Sequence, residues 1–172
     1  MELLSKLSEN DGFWEGELKL DFWNVFFKAD KFVLLNIGGD KLLKEVNIIH
    51  ENGYKYLIDN QEIILKSILE KLFDIYPIMQ IEYDYNEDEK SLNMPDVFSR
   101  EDFIKLLTPT KIFILDIIKD DIPYIGYEFD CSWDDENGFG VMTHRNNVIK
   151  TGGAETSFLS WIAEEDLLCG ER

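Results

Sequence analysis

Cysteine, positive charge and long apolar runs are scarce in this sequence, and each shortage excludes a class of protein. The two cysteines, Cys131 and Cys169, lie far apart in the sequence, so the chain is not a disulfide-rich scaffold. The sequence leaves open whether these two cysteines form a single disulfide. No apolar run approaches the ~20 residues that a membrane-spanning helix needs. The segment Met1–Lys6 lacks the apolar stretch of a signal peptide. Together these shortages predict a protein of the reducing cytoplasm.

The charge balance is strongly negative. The chain has 17 lysines and arginines against 35 aspartates and glutamates, which gives a formal net charge of −18 at pH 7. Such a surface repels nucleic acid and anionic lipid, because binding either one requires lysine and arginine against phosphate. It favours a basic protein partner, because complementary electrostatic fields steer two proteins together. The alternative is that the charge serves only solubility.

Apolar residues are plentiful enough for a hydrophobic core. Hydrophobic residues make up 45% of the chain and aromatic residues 13%. A chain of 172 residues has the usual size of one domain. A domain of this length buries roughly 70% of the surface that its unfolded chain exposes, so it needs no disulfide or metal to fold. We therefore expect a single folded domain that spans residues 1–172.

The N-terminal part, about 12–38, has the features of short strands. Residues 12–20 alternate imperfectly between apolar and polar side chains, and 31–37 are rich in β-forming residues that end at Gly38–Gly39. The run 23–28 is also predicted to be a strand. Short runs separated by aspartate and glycine favour an antiparallel meander.

The central part, about 45–77, is predicted to be mainly helical. Residues 61–76 carry a wide apolar stripe at helical spacing, and Pro77 is predicted to end this helix. Residues 45–58 are ambiguous. Asn52–Gly53 between two apolar runs is a hairpin signal, whereas a helix would tolerate one glycine.

The C-terminal part, about 98–168, is predicted to return to strands. Ser99 is placed to cap a short helix, and apolar residues on both faces of 111–119 indicate a central strand. The other expected elements are three strands and a closing helix, at 124–133, 139–144, 148–151 and 155–168. This order predicts an α+β fold with a mainly antiparallel sheet, composed of an N-terminal meander, central helices and a C-terminal strand set.

The densest group of polar residues is the segment Cys131–Val141. It contains three adjacent carboxylates, Asp134, Asp135 and Glu136. The segment does not match a calcium loop of the EF-hand type, which has aspartate at position 1 and glutamate at position 12. Placing Gly138 at position 6 puts Trp133 at position 1 and His144 at position 12. A looser metal-binding or hydrolytic site that uses these carboxylates, with His144 in support, is the alternative hypothesis for function.

A structural interpretation of the same segment is favoured. The carboxylates would form a solvated turn between two strands. Gly138 or Gly140 would supply a positive φ angle or a bulge. Trp133 and Phe139 would anchor the two ends of the loop in the core.

No assembled catalytic set is recognisable in the sequence. Cys131 and His144 could lie close together if their strands pair, but no local feature marks a reactive thiolate. The glycines of Thr151–Thr156 lack the lysine and the spacing of a phosphate-binding loop, and they are predicted to form a strand-to-helix turn. We therefore predict that the protein is not an enzyme and that it holds no metal or cofactor.

Two acidic segments are the predicted partner contacts. The first is an acidic loop expected over 82–90, where Tyr83 and Tyr85 would add contact area. The second is the carboxylate group of Cys131–Val141. The predicted contact residues are Glu82, Asp84, Glu87, Asp88, Glu89, Asp134, Asp135 and Glu136.

Two stretches of the chain resemble an uncharacterised bacterial family. They are Tyr56–Pro77 and Ile125–Met142, continued by Val148–Gly153, and the second contains the pattern C-x-W-D-x-E-x-G-x-G-V. The family pattern has a histidine where this chain has Asn137, a departure that argues against a metal or catalytic loop. The resemblance implies a helix at 45–58.

The same resemblance implies a binding role, because domains of this kind are found among candidate immunity proteins of bacterial toxin systems. The leading hypothesis is therefore a cytoplasmic bacterial protein that binds and neutralises a basic toxin. The identity of the toxin and the oligomeric state are left open by the sequence.

Overall fold

The computed structural model describes residues 1–170 and is organised around one seven-stranded sheet. The strands are Leu7–Asn10 (β1), Phe13–Leu18 (β2), Val33–Ile37 (β3), Leu107–Lys119 (β4), Ile122–Cys131 (β5), Phe139–His144 (β6) and Asn147–Gly152 (β7). They lie side by side in chain order, and every neighbouring pair is antiparallel except β3 with β4. The predicted α+β fold with a mainly antiparallel sheet is confirmed.

The α-helices lie in the connections from β2 to β3 and from β3 to β4, and after the last strand. The α-helices are Asp21–Phe27 (α1), Ile48–Asp59 (α2), Gln61–Tyr83 (α3), Glu87–Asn93 (α4) and Ser160–Gly170 (α5). Three 3-10 helices lie at Leu3–Lys6, Arg100–Lys105 and Ala154–Ser157. The helices α2, α3 and α4 belong to the crossover from β3 to β4, and parallel strands require a long crossover of this kind. None of the helices within residues 1–170 combines the length and the apolar character needed to cross a membrane.

The central strands separate two hydrophobic cores. Ile112 and Ile114 of β4 point to the larger core, which holds the buried residues of α1, α2 and α3. Phe113 and Leu115 point to the opposite face of the sheet, where they pack with α5. Successive strand residues face opposite sides, so a strand that is apolar on both faces must be covered on both. The predicted central position of this strand is confirmed.

The strand predicted at 23–28 is wrong, because these residues form α1. The large side chains Trp23, Phe26 and Phe27 recur at three- and four-residue spacing, which places them on one face of a helix. Trp23 is 2% exposed, and its indole N–H donates to the carbonyl of Gln61 at 2.9 Å. The α-helix therefore interrupts the N-terminal strands between β2 and β3.

The ambiguous residues 45–58 are helical from Ile48 onwards, so the hairpin interpretation is wrong. Asn47 caps the helix, since its side-chain oxygen accepts from the N–H of Ile49 at 3.0 Å. Gly53 lies inside α2, where a Cβ atom would approach Pro123 Cγ to 2.4 Å. The glycine is thus a point of close packing between α2 and β5, and it makes no turn.

Pro77 does not end α3, which continues to Tyr83. Proline inside a helix removes one hydrogen bond and crowds the preceding turn, but the rest of the helix can continue. The helix ends at Asp84, which adopts a left-handed conformation with φ of 49°. The predicted end of the helical segment at residue 77 is therefore six residues too early.

The acidic loop predicted over 82–90 is also wrong as a loop. Its first residues complete α3, and its last residues begin α4. Asn86 caps α4 by accepting from the N–H of Glu89 at 2.9 Å, and the Glu89 carboxylate accepts from the N–H of Asn86. Acidic residues in the first turn of α4 are favoured by the helix dipole.

The predicted types of the C-terminal elements are confirmed, although some of their bounds differ. Asp102 accepts from the N–H of Ser99 at 3.0 Å, at the start of the 3-10 helix Arg100–Lys105. The closing helix begins at Ser160 rather than at residue 155, because Ala154–Ser157 first makes a 3-10 turn across the sheet. Asp40 accepts from the N–H of Ser160 at 3.1 Å and so caps the start of α5.

Candidate functional site

The structure joins the two acidic segments into one surface. The hydroxyl of Tyr83 donates to Asp134 Oδ2 at 2.8 Å, and the hydroxyl of Tyr85 donates to the carbonyl of Trp133 at 2.5 Å. The two tyrosine rings stack with centroids 5.8 Å apart. We name this surface the acidic face, and it consists of Glu82, Asp84, Glu87, Asp88, Glu89, Asp134, Asp135 and Glu136.

The carboxylates of the acidic face are largely free. All are exposed except Asp134, which is half-buried. No lysine or arginine within residues 1–170 forms an ion pair with any of the eight, although basic side chains pair with carboxylates elsewhere in the fold. The acidic face therefore concentrates negative charge that the chain itself does not neutralise. The role of these residues as partner contacts stays a prediction.

The loop between β5 and β6 is anchored as the sequence predicts. Trp133 and Phe139 are each 1% exposed, and their rings lie 5.9 Å apart. Gly138 has a φ of +64°, and a Cβ atom there would approach the carbonyl oxygen of Phe129 to 2.8 Å. Glycine adopts this positive φ without strain, and the close approach to a main-chain oxygen leaves no room for a side chain. The structural interpretation of the segment Cys131–Val141 is confirmed.

Asp134 is the polar centre of this loop. Its Oδ1 accepts from the N–H of Asn137 at 3.0 Å and from the Asn137 side-chain amide at 3.0 Å. Partial burial alone would raise the pKa of Asp134, but the hydrogen bonds from Asn137 and Tyr83 outweigh it and lower that pKa below its ordinary value. Burial and the bond to Asp134 in turn raise the pKa of Tyr83. Asn137, which replaces the expected histidine, thus orients a carboxylate.

Asp134→Ala should lower the free energy of unfolding by about 1 to 2 kcal/mol at pH 7, because Tyr83 and Asn137 lose their acceptor. The pKa of Asp134 is lowered by folding, so its contribution is complete above the unfolded pKa of about 3.9 and is lost as pH falls through the lower folded pKa. Urea denaturation from pH 7 down to pH 3 measures this difference.

The matched control for that prediction is Asp135→Ala. Asp135 is exposed and its carboxylate accepts no hydrogen bond within residues 1–170, so its removal should change stability by less than about 0.5 kcal/mol. Equal losses for the two variants, or a loss for Asp134→Ala that does not shrink below about pH 4, would contradict the assigned role.

Cys131 and His144 are not brought together. The strands β5 and β6 do pair, but the register places Phe139 opposite Phe129 and His144 opposite Tyr124. Cys131 therefore lies seven positions along β5 from Tyr124, the residue opposite His144, which is a distance of about 23 Å. Burial raises the pKa of the Cys131 thiol to about 12, which opposes thiolate formation at neutral pH. Cys131 and Cys169 are both free cysteines.

The carboxylates 134–136 do not converge with His144 either. His144 lies at the other end of β6, where its Nε2 is 2.8 Å from the carbonyl oxygen of Lys119. Within residues 1–170, no group of three or more histidine, cysteine, aspartate or glutamate side chains has the arrangement of a metal site. The geometry that the metal-binding or hydrolytic alternative requires is therefore not found in the part of the chain that the structure describes.

An apolar groove borders the acidic face. Its volume is about 330 Å³, and it runs between the C-terminal half of α3 and the glycine turns at the ends of β6 and β7. Ile78 and Met79 line it on the helix side, and Phe139 lines it on the sheet side. Glu82 and Tyr83 form its border with the acidic face. Charged and apolar contact surfaces thus lie next to each other, as in many protein interfaces.

A family model of a domain of unknown function, DUF6985, matches residues 10–159. The chain belongs to the DUF6985 family. The DUF6985 match includes the whole acidic face, the groove and the loop Cys131–Val141, and it leaves out α5. Neither the curated proteins nor the solved structures compared with the chain gave a match.

Sequence reasoning missed the linking residues of this site. Tyr83 and Tyr85 were expected to offer contact area to a partner, yet their hydroxyls are used inside the domain. Tyr83 and Asp134 are 51 residues apart in the chain, and no local pattern indicates that they meet. The groove was missed for the same reason, because a helix and two distant turns form it together.

Proposed function

We propose that this domain is a cytoplasmic protein-binding module that engages a basic protein through the acidic face. The observation that carries the proposal is the set of eight carboxylates, contributed by two distant segments, that no basic side chain of residues 1–170 neutralises. Unpaired charges of one sign on one surface attract an oppositely charged partner and raise the association rate.

The partner that we propose is a toxin whose action the domain blocks. A basic nuclease is suited to this, since it must present lysine and arginine to phosphate. A surface of carboxylates can occupy those cations and exclude the substrate. The apolar groove beside Glu82 supports the same function, because well-packed apolar contacts supply much of the affinity at protein interfaces.

The test is co-expression with the products of the neighbouring genes. If one neighbour is toxic when expressed alone, the wild-type domain should restore growth. The variant Glu82→Gln, Asp84→Asn, Asp135→Asn, Glu136→Gln should restore it poorly. With purified proteins at low salt, the variant should associate at least about tenfold more slowly, because electrostatic steering is weakened.

A matched variant controls for net charge. Glu17, Glu45, Glu164 and Glu165 are exposed, lie outside the acidic face and make no ion pair within residues 1–170. Changing these four to glutamine removes the same charge and should leave rescue and association nearly unchanged. If both four-site variants behave alike, the charge acts only globally. If no neighbouring product is toxic or binds the domain, the immunity proposal fails.

A further inference from the structure

A cavity of about 240 Å³ lies outside the acidic face, between α1, the loop that follows it and the start of β4. Trp23, Phe27 and Leu107 contribute to its apolar lining. At about 30 Å³ for each water-sized group, the cavity has room for about eight such groups. Concave, largely apolar sites with a few polar groups are typical of small-molecule binding.

The cavity originates in unequal strand pairing at the start of β4. This strand pairs with β5 from Leu107 onwards. On its other side, β3 pairs with it only from Leu34, which lies opposite Lys111. Residues 107–110 of β4 therefore have no strand partner on the β3 side. The helix α1 and its following loop cover this gap incompletely, and the uncovered part is the cavity.

Two lysines from the loop after α1 line the cavity. Lys28 and Lys31 both lie along its wall, and neither forms an ion pair within the part of the chain that the structure describes. The carboxylate between them, Asp30, is already paired with Lys19. In a chain with twice as many acidic as basic residues, this cavity thus has a local charge opposite to the net charge.

The loop that carries these lysines has a defined shape. The Asn24 side chain donates to the carbonyl of Lys31 at 2.9 Å and accepts from the N–H of Lys31 at 3.3 Å. Lys28 adopts a left-handed conformation with φ of 52°, and its N–H closes α1. The main chain on both sides of the cavity mouth is therefore held in place before any ligand arrives, which lowers the entropic cost of binding.

We propose that this cavity binds a small amphipathic carboxylate of about the size of octanoate. Its apolar tail lies against Trp23 and Phe27, and its carboxylate lies between Lys28 and Lys31. Burial of the tail supplies the affinity, and the two lysines select an anion over a cation of the same length. The site does not depend on the proposed binding of a basic protein.

The test is an amide NMR titration of the full chain with sodium octanoate and, separately, with octylammonium chloride. Octanoate should cause saturable shifts at the Trp23 indole N–H and at the amides of 28–31 and 107–108. A dissociation constant of about 10 mM or tighter is expected for about ten non-hydrogen atoms. Octylammonium should leave these signals unshifted.

Two variants separate the two halves of the site. Lys28→Gln with Lys31→Gln should weaken octanoate binding at least about fivefold, whereas Lys41→Gln with Lys44→Gln, which removes two exposed lysines outside the cavity, should not weaken it. Ala29→Leu projects a larger side chain from the cavity wall and should abolish octanoate binding without lowering the melting temperature.

Any of three results would overturn the proposal. The first is the absence of saturable octanoate shifts up to about 50 mM, about five times the weakest dissociation constant expected. The second is equal binding of octanoate and octylammonium. The third is a set of shifts that lies away from the cavity or survives Ala29→Leu.

Discussion

Gly126→Ala is expected to lower the free energy of unfolding by at least about 3 kcal/mol, or to prevent folding altogether. Gly126 is buried in the middle of β5, on the face of the sheet that α5 covers. A Cβ atom there would lie 1.5 Å from the carbonyl oxygen of Ser157 and 2.4 Å from its carbonyl carbon. These are main-chain atoms, so no side-chain rotation relieves the clash.

The main chain at Ser157 cannot easily move away. The 3-10 helix Ala154–Ser157 lies directly against Gly126 of β5 and Gly140 of β6. The Ser157 hydroxyl donates to the carbonyl of Ala154 at 2.6 Å. The N–H of Ala154 also donates to the carbonyl of Asn137 at 2.8 Å, in the loop that carries Asp134, Asp135 and Glu136. Displacing this turn would therefore disturb the β5–β6 loop as well.

Gly170→Ala is the matched control for Gly126→Ala. Apart from its chain neighbours and the main chain of its own helix, the nearest atom within residues 1–170 to a Cβ atom at Gly170 is Lys119 Nζ at 3.5 Å, which is an ordinary contact. This substitution should change the free energy of unfolding by less than about 0.5 kcal/mol. Urea denaturation followed by circular dichroism measures both. A loss below about 1 kcal/mol for Gly126→Ala would mean that the turn does not cross β5 as closely as described.

Trp133→Ala is expected to lower the free energy of unfolding by about 3 to 5 kcal/mol. Trp133 is 1% exposed, and its ring makes edge contacts with Tyr76 of α3 at 5.7 Å and with Phe139 at 5.9 Å. Removing the indole leaves a cavity between the helix layer and the β5–β6 loop. The loop carries Asp134, so the variant should also loosen the link to Tyr83.

Trp161→Ala is the control for Trp133→Ala. Trp161 is 47% exposed, and its main partner is the Lys150 ammonium group, 4.6 Å from the ring centroid. An exposed contact of this type is worth about 0.5 to 1 kcal/mol. Similar losses for the two tryptophan variants in a guanidinium titration would contradict the anchoring role of Trp133.

Predictions from local patterns succeeded where one local cause dominated. The strand 111–119 was recognised because apolar residues on both faces leave no solvent side, and β4 is indeed covered on both faces. A glycine with positive φ was expected at Gly138 or Gly140, because glycine adopts that conformation without strain, and the structure places it at Gly138. The Ser99–Asp102 cap was recognised because its partners are three residues apart.

Predictions from local patterns failed where tertiary packing outweighed a local signal. Pro77 was expected to end α3, but Met79 and Tyr83, which are half-buried and pack against the core, lie in the continuing helix beyond it. Asn52–Gly53 was expected to make a turn, but Gly53 is instead the contact between α2 and Pro123 of β5. In both cases the local signal was typical of the residue type, but packing against residues distant in the chain decided the secondary structure.

The sequence by itself determined the α+β class, the excess of negative charge and the residue types of the acidic face. These follow from composition and short-range periodicity, which are visible in the sequence without knowledge of long-range contacts. Only the tertiary structure decided that residues 82–89 and 134–136 form one surface, that Cys131 and His144 stay apart, and that a gap beside β4 becomes a cavity. The physical reason is that strand register and long-range hydrogen bonds, such as Tyr83 to Asp134, depend on the whole chain packing at once.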